Sequence, residues 1–224
     1  MGYGLMSLIL WIRREVVKIM KTRVIRGGSV HHPYSACHPN LSENWTPADE
    51  VDLSAAYASV GRRLGIFTDP VYDRLMTFHK DSRMKLVGSL GTKHVEVHYD
   101  VDGKYLKTIN STEPTEPAWA AIVNETDRIM LDSISEMGDD YLYYYMDAIW
   151  VKRGRGTDMM RSFHMRGYGA KMNQVNIRRD GLDIVTSQSK TYKIRRTIRP
   201  ALSLGDRIHG LQSAIHPDRV AIQA

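Results

Sequence analysis

The chain carries a single cysteine, Cys37, among its 224 residues. A disulfide framework or a cysteine-based zinc site within the chain is therefore excluded, and the expectation is a reducing compartment with Cys37 buried and inert. Long hydrophobic runs are also missing. The apolar stretch from Leu5 to Ile12 is too short to cross a bilayer. Its positive charges (Arg13, Arg14, Lys18, Lys21, Arg23) come after it, the reverse of a secretory signal. We expect no membrane span, and an amphipathic helix that packs on its own domain. The nine histidines show no zinc-ligand spacing backed by carboxylates. Gly154-Arg155-Gly156 lacks the rest of a phosphate-binding P-loop, and no Gly-x-Ser-x-Gly nucleophile signature occurs. Internal repeats and low-complexity tracts are absent as well.

What is present is ordinary for a globular chain: 42% hydrophobic and 25% charged residues, enough apolar content for a core. The length suits one large domain, or one with a small appendage. A formal net charge of +6 leans toward a polyanionic partner. Apolar spacing predicts a helix over 4–22, with Leu5, Leu8, Ile9, Ile12, Val16 and Ile19 on one side. Residues 31–49 read as an irregular connection, and Val51–Leu53 as a short strand end. Helical segments follow at about 54–64 and 69–90, separated by Thr68-Asp69-Pro70. The period then changes to two, with strands around 95–99 and 105–109 flanking Asp102-Gly103, a hairpin signal. A helix over about 117–137 ends at Gly138. A β-forming run, Tyr141–Val151, breaks at Met146-Asp147, and strands at 174–179, 182–187 and 190–196 precede one weak helix after Pro200. The sum is an α+β fold, an antiparallel sheet with packed helices.

Two carboxylates stand out. Asp147 interrupts the apolar and aromatic run Tyr143–Val151, where an ionised group needs a cation or a donor. Read alone, it is first of all a turn aspartate held by backbone amides. Asp52 sits where a strand passes into a helix, a position that also suits an ordinary N-cap. Brought together, two such residues would suit a pair of Mg²⁺ ions about 4 Å apart, which clamp the attacking and leaving oxygens of a phosphoryl transfer.

The order of motifs resembles the polymerase region of family B DNA polymerases, especially the protein-primed enzymes of phages and linear plasmids. Asp52-Leu53-Ser54-Ala55-Ala56-Tyr57-Ala58-Ser59 is similar to their first palm motif, Asp-x-x-Ser-Leu-Tyr-Pro-Ser. Tyr143–Val151 is similar to Tyr-x-Asp-Thr-Asp-Ser, with Asp147 at the second, catalytic aspartate and Tyr145 at the first. Arg26-Gly27-Gly28 resembles the template-contacting Tyr-x-Gly-Gly, with Ile25 in place of tyrosine. The segment 85–93, with Ser89 and Lys93, is similar to the fingers motif Lys-x-x-x-Asn-Ser-x-Tyr-Gly-Lys. Lys190-Thr191-Tyr192 matches Lys-x-Tyr. These matches keep the family's order over about residues 25–195.

The resemblance implies a minimal DNA-directed DNA polymerase, a viral or mobile-element protein working in the cytoplasm (the host's, if viral). Asp52 and Asp147, helped by the Leu53 carbonyl, would hold two Mg²⁺ or Mn²⁺ ions. Tyr57 would exclude a 2′-hydroxyl; Lys80, Arg83 or Lys85 would bind the triphosphate; Lys190 and Tyr192 would seat the primer. The partners implied are a DNA primer–template and deoxynucleoside triphosphates. The implied layout is a single domain over 1–224: an N-terminal helix and template-side connection (1–50), palm (51–59 and 94–196), short helical fingers (60–93) and a rudimentary thumb (197–224). An exonuclease domain and a priming insertion have no counterpart, so a protein partner is expected to supply the thumb, exonuclease or processivity. The departures bear on nucleotide binding. Gly88 stands for asparagine, Gly91 for tyrosine and Met84 for the triphosphate-gripping lysine. They keep open two alternatives, a catalytically degenerate DNA-binding palm relic and one subunit of a split polymerase.

Overall fold

The structure, a computed structural model, describes residues 2–25, 35–92, 94–99, 105–111, 114–195 and 197. Arg26-Gly27-Gly28, Lys93, the Asp102-Gly103 turn and the helix expected after Pro200 lie outside the described residues. In chain order the elements are α1 (Gly2–Thr22), β1 (Ser35–Cys37), β2 (Thr46–Leu53), α2 (Ala56–Arg63), α3 (Asp69–Met76), α4 (Lys80–Gly88), β3 (His94–Tyr99), β4 (Tyr105–Ser111), α5 (Glu116–Met137), β5 (Tyr141–Tyr145), β6 (Ala148–Lys152), α6 (Gly156–Met165), β7 (Ala170–Asp180), β8 (Asp183–Thr186) and β9 (Thr191–Lys193). The fold is α+β, with an antiparallel sheet and packed helices. It divides into two compact units, Met1–Val30 with Tyr57–Glu125, and His31–Ala56 with Thr126–Ala224.

The first unit is mainly helical. Ile12 and Val16 of α1 are fully buried, as an amphipathic helix requires. Arg13 fixes α1 to the turn after α4 by donating from Nε and Nη2 to the Ser89 carbonyl, at 3.2 and 2.6 Å. That carbonyl lies just past the C-terminus of α4 and also accepts the Thr92 amide at 3.3 Å, a place where a cation is favoured. Gly61 lets the Phe67 ring lie directly on α2, where any Cβ would collide with it. The paired strands β3 and β4 form a separate two-stranded sheet belonging to this unit.

The second unit is built on a seven-stranded sheet of order β1-β5-β6-β2-β7-β8-β9, every neighbouring pair antiparallel. Strand alternation gives it two faces. One face carries an apolar cluster of Cys37, Leu41, Ala48, Tyr143, Trp150, Val175, Ile177 and Ile184, with Tyr145, Tyr192 and Ile194 packed against it. The other face is covered by α6 and the later part of α5. There the Tyr144 hydroxyl donates to Asp127 Oδ1 at 2.7 Å. On the same face Asp49, 2% exposed, accepts the Gly154 and Gly156 amides at 2.7 and 3.1 Å. It thereby caps the start of α6, with Arg153 Nε 3.2 Å from its other oxygen.

Several expected elements shift. The strand end expected at 51–53 is the last part of an eight-residue strand, and β1 lies within the stretch read as irregular. Polar Thr46, Asp49 and Glu50 hid that strand from an apolar count, although both acids are buried. The helix expected over 69–90 breaks between α3 and α4, where Thr77 donates its hydroxyl to the Arg74 carbonyl at 2.8 Å and His79 turns extended. Helix α6 was not foreseen. Flanking glycines and arginines masked it, and its N-terminal cap, Asp49, comes from far away in the chain. Strand β7 begins at Ala170, earlier than expected, and β9 is shorter.

Candidate active site

In the second unit, Asp52 lies on β2 and Asp147 lies in the turn that leads into the adjacent antiparallel strand β6. Asp52 stands opposite Ala148 in the register of β2 with β6. Asp147 is the residue just before Ala148, and its carbonyl accepts the Leu53 amide at 3.0 Å. Met146 and Asp147 form a two-residue turn closing β5 onto β6, with Met146 at φ +55°. A positive φ at the first turn position matches the right-handed twist of a hairpin, and it costs an unbranched side chain about 1–2 kcal/mol. The Leu53 amide bond holds the Asp147 backbone beside the end of β2. Both carboxylates are half-buried.

The strand register extends this site into two rows across the sheet. Tyr145, Ala148, Asp52 and Lys171 form one, on β5, β6, β2 and β7 in turn. Tyr143, Trp150, Glu50 and Asn173 form the next. Glu50 is therefore on the same face as Asp52 and is 7% exposed. Tyr192 lies over these rows, its ring 5.2 Å from both Tyr145 and Trp150 and 6.2 Å from Tyr143. Burial, followed by the negative fields of Glu50, Tyr145 and Asp52, pushes the Tyr192 phenol up to about 12. Tyr192 is thus a neutral hydroxyl at physiological pH, within electrostatic reach of the Asp52 carboxylate. Lys190 is exposed in the tight turn before it, where its amide approaches Thr186 Oγ1 at 3.2 Å.

The other predicted residues belong to the first unit. Tyr57 opens α2, its ring 5.6 Å from Trp119. Trp119 also occupies the space beside Gly91, where a Cβ would collide with the indole. The position at which the resemblance calls for a tyrosine is filled by an aromatic ring from elsewhere in the chain. Lys80, Arg83 and Lys85 lie on α4; Lys80 and Lys85 are exposed, and Arg83 reaches the Phe78 carbonyl at 3.3 Å. Met84 is 45% exposed on the same helix. The Ser89 hydroxyl is buried and donates to the Leu86 carbonyl at 2.6 Å.

Among the described residues, no group of three or more His, Cys, Asp or Glu side chains is placed to hold a metal. Asp52, Asp147 and the Leu53 carbonyl are a hard-oxygen donor set. That set fits Mg²⁺, which takes one or two carboxylates and completes its shell from water and substrate phosphates. The residues present fit such an ion only with an anionic substrate supplying ligands. Sequence reasoning missed Asp49, Glu50, Trp119 and Lys171. The period-two pattern of Glu50 and Asp52 around Val51 was a usable signal for Glu50, whereas Lys171 and Trp119 depended on tertiary register and packing. In comparison with known proteins, no family model matches this chain, and no curated protein matches it.

Proposed function

We propose that the protein is a minimal template-directed DNA polymerase whose carboxylate pair is Asp52 and Asp147. The observation that carries this reading is the backbone junction at the hairpin tip. The turn that carries Asp147 is tied to the end of β2, one residue beyond Asp52, by the Leu53 amide donating to the Asp147 carbonyl at 3.0 Å. In this reading Asp52, Asp147 and the Leu53 carbonyl hold divalent cations. When bound, these cations lower the charge barrier to attack by the primer 3′-hydroxyl and to departure of pyrophosphate. Tyr192, kept neutral, donates a hydrogen bond to the primer end and packs its ring against Trp150 and Tyr145. In the first unit, Tyr57, its ring 5.6 Å from Trp119, offers a flat aromatic face of the kind that stacks under a sugar. Lys80, Arg83 and Lys85, also of the first unit, are cations of the kind that bind a triphosphate.

Met84, exposed on α4 where the resemblance has a lysine, favours a second reading, a palm that binds DNA without extending it. Primer extension on a short DNA template with Mg²⁺ or Mn²⁺ separates the two. Under the polymerase reading the parent extends the primer, and Asp147→Ala loses at least about 100-fold in rate while remaining folded, the scale of removing one preorganised transition-state contact. Extension by Asp147→Ala at the parental rate would rule the assignment out. DNA binding without extension by either protein would leave the non-catalytic reading.

A further inference from the structure

The cations offered above for the triphosphate all lie in the first unit, yet the sheet bearing the carboxylates has a cation of its own. Lys171 stands directly opposite Asp52 in the pairing of β2 with β7. It is exposed, at the start of a strand on which Lys171, Met172, Asn173 and Gln174 are all at least partly open to solvent. Directly opposed residues of an antiparallel pair share a face, with Cβ atoms about 4.5–5.5 Å apart. Lys171 therefore rises on the same side of the sheet as Asp52, and Asn173 follows on that side opposite Glu50. Asp52 thus has Ala148 on one flank and Lys171 on the other.

We propose that Lys171 is a phosphate-binding residue of this site, with Asn173 as an auxiliary hydrogen-bonding group. The inference rests on the polymerase reading for the identity of the phosphate but not for its existence. A lysine is a compact point charge on a long stem, suited to following a phosphate oxygen rather than fixing one geometry. Beside Asp52 it serves an anion only when that anion also neutralises the carboxylates through bound cations. The site thereby prefers a phosphate that arrives with metal over one that arrives alone. The phosphate is that of a nucleic-acid backbone or that of a nucleoside triphosphate; the chemistry at Lys171 is the same. The competing explanation is a plain cross-strand charge pair with Asp52, which would contribute to stability and nothing else.

The test uses the full chain with Lys171→Ala, Lys171→Arg and Lys171→Glu, together with the parent and the Asp147→Asn protein. Fluorescence anisotropy of a labelled primer–template, measured with Mg²⁺ over a range of salt, reads the backbone source. Dependence of extension on deoxynucleotide concentration reads the triphosphate source. If Lys171 meets a backbone phosphate, Lys171→Ala binds DNA about five- to tenfold more weakly with a salt slope shallower by about one. Lys171→Glu is then weaker still, and Lys171→Arg is near the parent. If it meets the triphosphate, DNA binding is unchanged and KM for nucleotide rises by about the same factor, again with recovery in Lys171→Arg. Unchanged DNA affinity together with unchanged KM overturns the proposal, as does a change confined to the melting temperature. Placing Lys171→Ala in the Asp147→Asn protein keeps the anisotropy readable without catalysis. Failure of the polymerase reading, seen as full activity of Asp147→Asn, is thus distinct from failure here.

Discussion

The two units hold their candidate functional residues by opposite means. In the second unit, β2 is paired with β7 along its whole length and with β6 from Ala48 to Asp52, so the positions of Asp52 and the hairpin tip follow from ladders on either side. In the first unit, Lys80 and Lys85 ride on α4, a nine-residue helix whose buried residues are Leu86 and Val87. The difference teaches which residues are fixed by the fold and which are merely displayed by it. Carboxylates meant to share a cation must be spaced by rigid backbone. Long cationic side chains can find a phosphate from a less constrained position.

The contrast is broken most severely at Trp150, the largest side chain in the rows around the carboxylates and 1% exposed. Trp150→Ala should destabilise the second unit by about 3–5 kcal/mol, read as a lower denaturation midpoint. In the first unit the comparable contact is Trp119 against Gly91. Gly91→Ala should cost about 1–3 kcal/mol by forcing the indole away and should disturb the Tyr57 ring beside it. Asp49→Ala removes the α6 cap, at about 1–2 kcal/mol. The lost ion pair adds little, because Arg153 is partly in water. Lys85→Ala should leave stability within about 0.5 kcal/mol, so any change in nucleotide dependence reports function alone.

The smallest effect concerns Cys37. Burial, partly offset by Arg179, pushes its thiol up to about 11. A raised thiol pKa favours the folded state below pH 9 and loses that contribution as pH climbs from about 9 through 11. Labelling of the native protein by a thiol reagent at pH 8 should be at least about tenfold slower than that of the unfolded chain.

Much of the fold was legible because its signals are local. The long helix to Met137 with Gly138 at φ +55°, and the hairpin broken at Met146-Asp147, stood in the sequence as periodicity and punctuation. The start of β2 was not legible, since its buried Asp49 and Glu50 look like loop residues until their partners are known. Asp49 finds the Gly154 and Gly156 amides, and Glu50 sits between Trp150 and Asn173. Helix α6 was hidden for the same reason, because its cap arrives from β2. For the site, the motif order marked Asp52, Asp147 and Tyr192 but gave no hint of Lys171, whose relation to Asp52 exists only in the register of β7.

The most direct test of the central claim is whether Asp52 and Asp147 act as one unit. Single-turnover primer extension should be measured for the parent, Asp52→Asn, Asp147→Asn and the double variant, each confirmed folded by its thermal midpoint. Residues serving one site are non-additive. Each single variant should therefore fall at least about 100-fold, and the double variant should be no slower than the worse single. Independent, multiplying losses, or parental rates in either single variant, would contradict a shared site.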